Sequence, residues 1–297
     1  MQNERLLLID GFNLLSRGYF ATSFNRPIET LERSEDGITV NGLRVFMQKL
    51  FKLIQTHGIT HCVVTWDVPR DESIRRLDYP EYKQTRGELP DPLIEQYVLL
   101  KQVLEKMSIS QLTLAPYEAD DLIGALSLQW EQQTAGSCLI YSNDQDLYQL
   151  LSERTHQIIN KKKQEFIYDA QAFQLEHGIQ PDQWIDVKAL LGDPGDNIPG
   201  CPGVGQKTAL PLIQTYGSIE NLHETLADLD PQFKRVKSKL DNGKDVTYLS
   251  KKLASIIRDI PDLPSLSSFA LSLHRETIEE ELTRLKIRVP FEQGSLF

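Results

Sequence analysis

The sequence predicts an α/β fold, a mainly parallel central sheet with helices on both faces, followed by a helical subdomain. Three apolar runs rich in strand-forming residues carry the prediction: RLLLI before Asp10, HCVVTW before Asp67 and CLIYSN before Asp144. Each reads as a buried strand. Helical patterns separate the runs, and such βαβ alternation implies parallel pairing. Each run also ends on an acid. Parallel strands bring their carboxyl ends to one sheet edge, where open α/β folds place ligands.

Strand 5–10 leads into a helix over 12–20, and 40–58 is an amphipathic helix with Leu43, Phe46, Met47, Leu50 and Ile54 at helical spacing and Gly58 at its end. Strand 61–67 follows, then a helix over 92–107, a short strand at 111–115, a helix over 117–133 and a strand at 138–143. From Asp169 onward, turns at Pro181, Gly192, Gly217 and Pro231 divide short helices, until a final strand or turn at RVPFE. The expected organisation is an α/β domain over 1–172 with a distinct segment at about 70–92, a helical subdomain over 173–290, and a tail over 291–297.

The chain has 297 residues with 40% hydrophobic content, ample for such a core. No apolar run approaches a signal peptide or a membrane span, so a soluble, intracellular protein with no membrane partner is expected. Cys62, Cys138 and Cys201 are an odd number without CxxC spacing and read as reduced structural thiols.

Nine carboxylates fall where acid clusters have no stabilising use: Asp10, Asp67, Glu118, Asp120, Asp121, Asp144, Asp146, Asp193 and Asp196. Crowded carboxylates repel, and burial raises their pKa values, so the charged set needs cations. In YEADDL, Glu118 and Asp121 share a helix face, while adjacent Asp120 and Asp121 can address different ions. Helix capping is the competing reading of this motif. SNDQDL and LGDPGDNIPG are, taken singly, equally turn signals. Oxygen-only donors select Mg²⁺ or Mn²⁺ over zinc, and two such ions about 4 Å apart can activate a water against a phosphodiester. No GxSxG, Walker loop or Cys/His constellation offers a rival chemistry.

The net charge of −10 does not exclude nucleic acid, because setting aside nine of the 42 acids leaves 33 against 32 basic residues. Basic residues gather at 70–86, at Lys161, Lys162 and Lys163, and over 234–252. GVGQKTA, from Gly203 to Ala209, reads as a helix-hairpin-helix over about 184–216. Gly203 and Gly205 allow close approach to a phosphate, and Lys207 and Thr208 add a cation and a hydroxyl in the first helical turn.

On LLLIDGFNLLSRGYF, VVTWD, SIRRLDYPEYKQTR, YEADDLIG, SNDQDLYQLL, PDQWIDVKALLGDPGDNIPG and GVGQKTA, the chain resembles the structure-specific 5′ nuclease family: the flap endonucleases and the 5′ nuclease domain of bacterial DNA polymerase I. The motifs cover 5 to about 260 in family order, with no polymerase domain following. The resemblance implies a PIN-like 5′ nuclease fold with a helical arch, the nine acids as metal ligands, and two Mg²⁺ or Mn²⁺ ions. It also implies K⁺ at the helix-hairpin-helix, and a bacterial cytoplasmic monomer acting on branched, flapped or RNA-primed DNA in replication and repair.

It further implies that Arg75, Lys83 and Arg86 act from the arch on the scissile phosphate. Lys83 and Arg86 would share a face if helical, and Tyr79 and Tyr82 could stack on unpaired bases. Two departures stand out. Pro211 falls inside the helix after the glycine turn, where it removes a backbone bond or kinks the helix. Gly195 replaces the family's usual serine. The alternatives are a PIN-type ribonuclease and a catalytically silent binder of branched DNA. Finally, Gln293, Leu296 and Phe297 resemble the short motif by which bacterial replication proteins dock on the sliding clamp.

Overall fold

The computed structural model describes residues 4–161 and 164–290. Its elements in chain order are β1 (Arg5–Asp10), α1 (Gly11–Ser23), α2 (Asn41–His57), β2 (His61–Thr65), α3 (Ile74–Asp78), α4 (Asp91–Lys106), β3 (Ser110–Leu112), α5 (Ala119–Gln133) and β4 (Ser137–Tyr141). There follow β5 (Thr155–Lys161), β6 (Gln164–Tyr168), α6 (Ala170–His177), α7 (Trp184–Leu191), α8 (Gln206–Tyr216), α9 (Ile219–Glu224), α10 (Lys237–Asn242), α11 (Lys244–Ala254) and α12 (Arg275–Arg284). The described residues form two compact units, one from 4–68, 88–142 and 258–290, the other from 69–87 and 143–257.

In the first unit β3, β2, β1 and β4 lie side by side, all parallel, with Leu7 in register with Cys62 and Leu139. Leu6, Leu7, Leu8 and Ile9 are completely buried, which is why this strand reads as a continuous apolar run rather than an alternating one. Asp10 ends β1 and also caps α1, its carboxylate accepting from the Asn13 amide at 2.9 Å. The N-terminus of α2 has no cap of its own. Gln96 of α4 supplies it, its Oε1 accepting from Gly42 and Leu43 amides at 2.8 and 3.1 Å. At the other end Gly58 takes the left-handed conformation that closes the helix.

The second unit contains an antiparallel pair that the apolar pattern did not reveal, β5 with β6, in which Ile158 faces Ile167. β6 is largely exposed, so it lacks the buried alternation that marks a strand. Behind the pair, Tyr148, Tyr168, Phe173 and Trp184 form an aromatic core with ring centroids 5.0–6.4 Å apart. Lys251 of α11 braces α7 and α9, donating to Asp186 at 2.6 Å and to Glu220 at 2.9 Å. α8 runs unbroken to Tyr216 with Pro211 inside it, so the proline removes one backbone donor without ending the helix.

Residues 70–87 are not one continuous helix. A 3-10 turn at Arg70–Glu72 precedes the five-residue α3, and turns follow Pro80. Lys83 is left-handed, with φ 56°, so it and Arg86 do not share a helix face. Pro80 lacks the amide that would continue α3, which accounts for the break. Arg288 to Pro290 form no strand. The three cysteines are buried and form no disulfide, and burial pushes the Cys62 thiol up to about 12. Among the described residues no helix is long and apolar enough to cross a membrane.

Candidate metal and nucleic-acid site

The nine acids divide between the units. Asp10, Asp67, Glu118, Asp120 and Asp121 belong to the first. Asp67, just beyond β2, accepts from the Ala119 amide at 2.9 Å and so ties a strand end to the start of α5. Glu118 and Asp121 form a reciprocal capping box, the Asp121 carboxylate accepting from the Glu118 amide at 3.1 Å. Asp121 is completely buried in this role, and Asp120 stands half-buried between the two. The helix dipole favours all three carboxylates here. Capping is therefore part of what this motif does.

Asp144, Asp146, Asp193 and Asp196 belong to the second unit. Asp144 accepts from the Asp146 amide at 2.9 Å, a turn that sets the two carboxylates beside each other. Asp193 and Asp196 sit on a tight loop closed by paired backbone bonds between Asp193 and Ile198 at 2.8 and 2.9 Å. Gly192 and Gly200 flank it with φ 70° and 69°, packed so closely that a Cβ on either would fall within 2.5 Å of the other strand of the loop. Only glycine fits at both. The Gly195 amide donates to Asp193 at 2.8 Å.

Lys188 of α7 lies between these acids, its Nζ 2.8 Å from Asp146 Oδ1 and 2.9 Å from Asp193 Oδ2, with its side chain only 15% exposed. Burial pushes the Asp146 carboxyl up to about 6, aided by the charge of Asp144 and opposed by Lys188. Burial also acts on Asp193, but the Lys188 ammonium and the Gly195 and Asp196 amides outweigh it and hold that carboxyl low. Lys188 itself is held protonated by the two carboxylates against the effect of its own burial. Sequence reasoning missed Lys188. Its one signal is a lone lysine in the otherwise apolar second half of WIDVKALL.

Among the described residues, no three His, Cys, Asp or Glu side chains are set as a metal-binding group. Asp67, Asp144 and Asp193 each accept from a backbone amide, Asp196 pairs with Arg86, and Asp146 and Asp193 share the Lys188 ammonium. Their chemistry nonetheless suits a hard divalent cation, since every donor is oxygen. Asp146 Oδ1 is buried and outside hydrogen-bond geometry, with the Lys188 ammonium as its electrostatic partner.

The basic and aromatic residues of 70–87 separate into two sets. Arg86 pairs with Asp196, the Lys83 amide donates to the Asp196 carbonyl at 2.9 Å, and Thr85 donates to Asn197 at 2.9 Å, so this segment is fastened to the acid loop. The Lys83 ammonium lies 4.9 Å from the centre of the Tyr82 ring. Arg75 and Tyr82 do not fit the roles expected of them. Arg75 is buried and donates to the carbonyls of Leu253 and Ser255 at the end of α11. Tyr82 is 4% exposed and packs with Ile198, Leu253 and Ala254, with Tyr79 half-buried against the same cluster. A ring and a guanidinium that complete a small core are not displayed to bases or phosphate.

The glycine turn is on the surface: Gly203, Gly205, Gln206 and Lys207 are exposed and Thr208 is half-buried. Gly203, at φ 80°, receives the Lys239 ammonium on its carbonyl at 3.1 Å. Gly205 caps α8 with φ −114°, and nothing lies within 4 Å of where its Cβ would be. The protein's own packing therefore does not require glycine at 205, and no side chain caps the start of α8 there. Gln293, Leu296 and Phe297 lie outside the described residues.

Two family models match the chain, the N-terminal resolvase-like domain of 5′-3′ exonuclease over residues 5–178 and its C-terminal SAM fold over 179–291. The chain is 52% identical over 291 residues to a 5′-3′ exonuclease of Halalkalibacterium halodurans, covering 97% of this chain and 96% of that one. It is 35% identical to DNA polymerase I of Bacillus subtilis over 90% of this chain but 29% of the polymerase. The fold matches that of a bacteriophage T5 flap endonuclease, solved in a pseudo-enzyme-product complex with DNA and metal ions, with a TM-score of 0.65 at 22% identity over 86% of this chain and 90% of that one. The chain belongs to the 5′-3′ exonuclease family.

Proposed function

We propose that the protein is a divalent-metal-dependent 5′ nuclease that hydrolyses DNA phosphodiesters at flaps and at RNA-primed 5′ ends during bacterial replication and repair. The observation that carries this reading is the set of nine carboxylates in a chain of this family, with oxygen as the sole donor type. Asp10, Asp67, Glu118, Asp120 and Asp121 in one unit, and Asp144, Asp146, Asp193 and Asp196 in the other, would hold Mg²⁺ or Mn²⁺. Bound there, such ions supply Lewis-acid stabilisation of phosphate charge and lower the pKa of a water.

The chain's own residues do the rest. Lys83 and Arg86 offer cations to the substrate phosphate. The turn at Gly203 to Lys207 grips the nucleic-acid backbone through amides and the Lys207 charge, without reading sequence. On this reading the protein acts as a cytoplasmic monomer.

The test is a 5′-labelled flap duplex incubated with Mg²⁺ or with chelator, the products being sized. Cleavage near the branch and from the 5′ end, lost with chelator and in Asp10→Ala, is expected. Equal cleavage of the wild type with chelator, or by Asp10→Ala, would overturn the metal assignment. Cleavage of RNA alone would favour a PIN-type ribonuclease.

A further inference from the structure

We propose that Lys188 is a built-in counter-ion of the second acid group, holding Asp146 and Asp193 together and competing with divalent cation for them. The inference rests on the reading of these two acids as metal ligands. Its grounds are geometric. One ammonium stands within 2.9 Å of a carboxylate oxygen of each residue, on a side chain 15% exposed, and α7 supplies it from within the same unit.

Two half-buried carboxylates on different loops repel, and a positive charge between them cancels that repulsion. An ammonium so placed also repels any second cation that approaches the same oxygens. Divalent metal must therefore displace the lysine from at least one of them. Lys188 thus acts as a positioning residue that keeps the pair preformed while weakening its hold on metal.

The experiment measures Mn²⁺ binding to the DNA-free full-length protein by titration calorimetry and electron paramagnetic resonance at about pH 8, where Asp146 is ionised. Lys188→Met is expected to bind Mn²⁺ at least about tenfold more tightly than wild type, since a unit charge within a few ångströms in a poorly solvated site shifts equilibria by more than that. Lys188→Arg, which keeps the charge, should stay within about threefold of wild type.

Asp146→Ala identifies the binding event by losing it. Equal or weaker Mn²⁺ binding by Lys188→Met, with wild-type binding still lost in Asp146→Ala, overturns the competition and leaves the metal reading intact. No Mn²⁺ binding by the wild type overturns both. Should Lys188→Met fail to fold, the wild type itself decides through its ¹⁵N-labelled lysine ammonium signals. The Lys188 resonance is expected to shift on addition of Mg²⁺, and an unchanged resonance at saturating Mg²⁺ overturns the proposal.

Discussion

Arg75 Nε donates to the Leu253 carbonyl at 2.9 Å, so a residue of α3 completes the last turn of α11. The same guanidinium also reaches the Ser255 carbonyl. A cation at a helix C-terminus satisfies carbonyls that have no intrahelical donor and complements the dipole.

Arg75→Met should therefore destabilise the protein by about 2–4 kcal/mol, because two carbonyls lose a charged donor in a poorly solvated place. Lys83→Ala should leave denaturant stability within about 0.5 kcal/mol. Its effect belongs in turnover on a flap substrate, reduced at least about tenfold with duplex affinity nearly unchanged. Denaturation curves and single-turnover cleavage on both variants check the division. If Arg75→Met is as stable as wild type but inactive, the arginine acts on substrate after all.

Asp146 gives a pH dependence with a definite sign. Its folded-state carboxyl sits at about 6, above the ordinary 3.8, so the folded protein retains a proton that the unfolded chain has released. The contribution of this group to stability is thus present below the unfolded value and falls as pH rises through the window from about 4 to about 6. Asp146→Asn removes that fall. In metal-free buffer at neutral pH it should raise stability by about 2 kcal/mol while abolishing cleavage. Thermal melts at pH 4.5 and pH 7 check this, with the variant's advantage smaller at the lower pH.

Gly205→Val should leave the fold intact, since φ −114° is open to any residue and nothing lies within 4 Å of the new Cβ. Weaker duplex binding at every sequence is expected, by at least about tenfold, because the side chain would stand where a phosphate approaches the first amides of α8. Fluorescence anisotropy over a salt series measures it. Unchanged affinity and salt slope would remove the hairpin from the DNA interface.

The tail is open to a separate test. Deleting residues 293–297 should leave cleavage of a bare flap unchanged but remove co-elution with the bacterial sliding clamp, if Leu296 and Phe297 serve as apolar anchors and Gln293 as the hydrogen-bonding group of a docking motif. Retained co-elution would exclude the tail as the docking element.

Much of the chain was legible from local pattern alone. Leu6 to Ile9 is a strand because an unbroken apolar run of that length can be buried on both faces, and the 3.6-residue period of 41–57 marks α2 wherever it packs. The acids after β1 and β2 were readable for the same reason: strand ends are set by where the apolar run stops. What a side chain touches depends on residues far along the chain, and there only the tertiary structure decided. Tyr82 and Arg75 have the composition of a nucleic-acid contact, yet Ile198 and Leu253, more than a hundred positions away, bury one and bond the other. Lys188 looked like an ordinary helix lysine until the loops carrying Asp146 and Asp193 closed around its ammonium. Periodicity records which face of an element is apolar, whereas charge pairing depends on distances that arise only once the elements have packed.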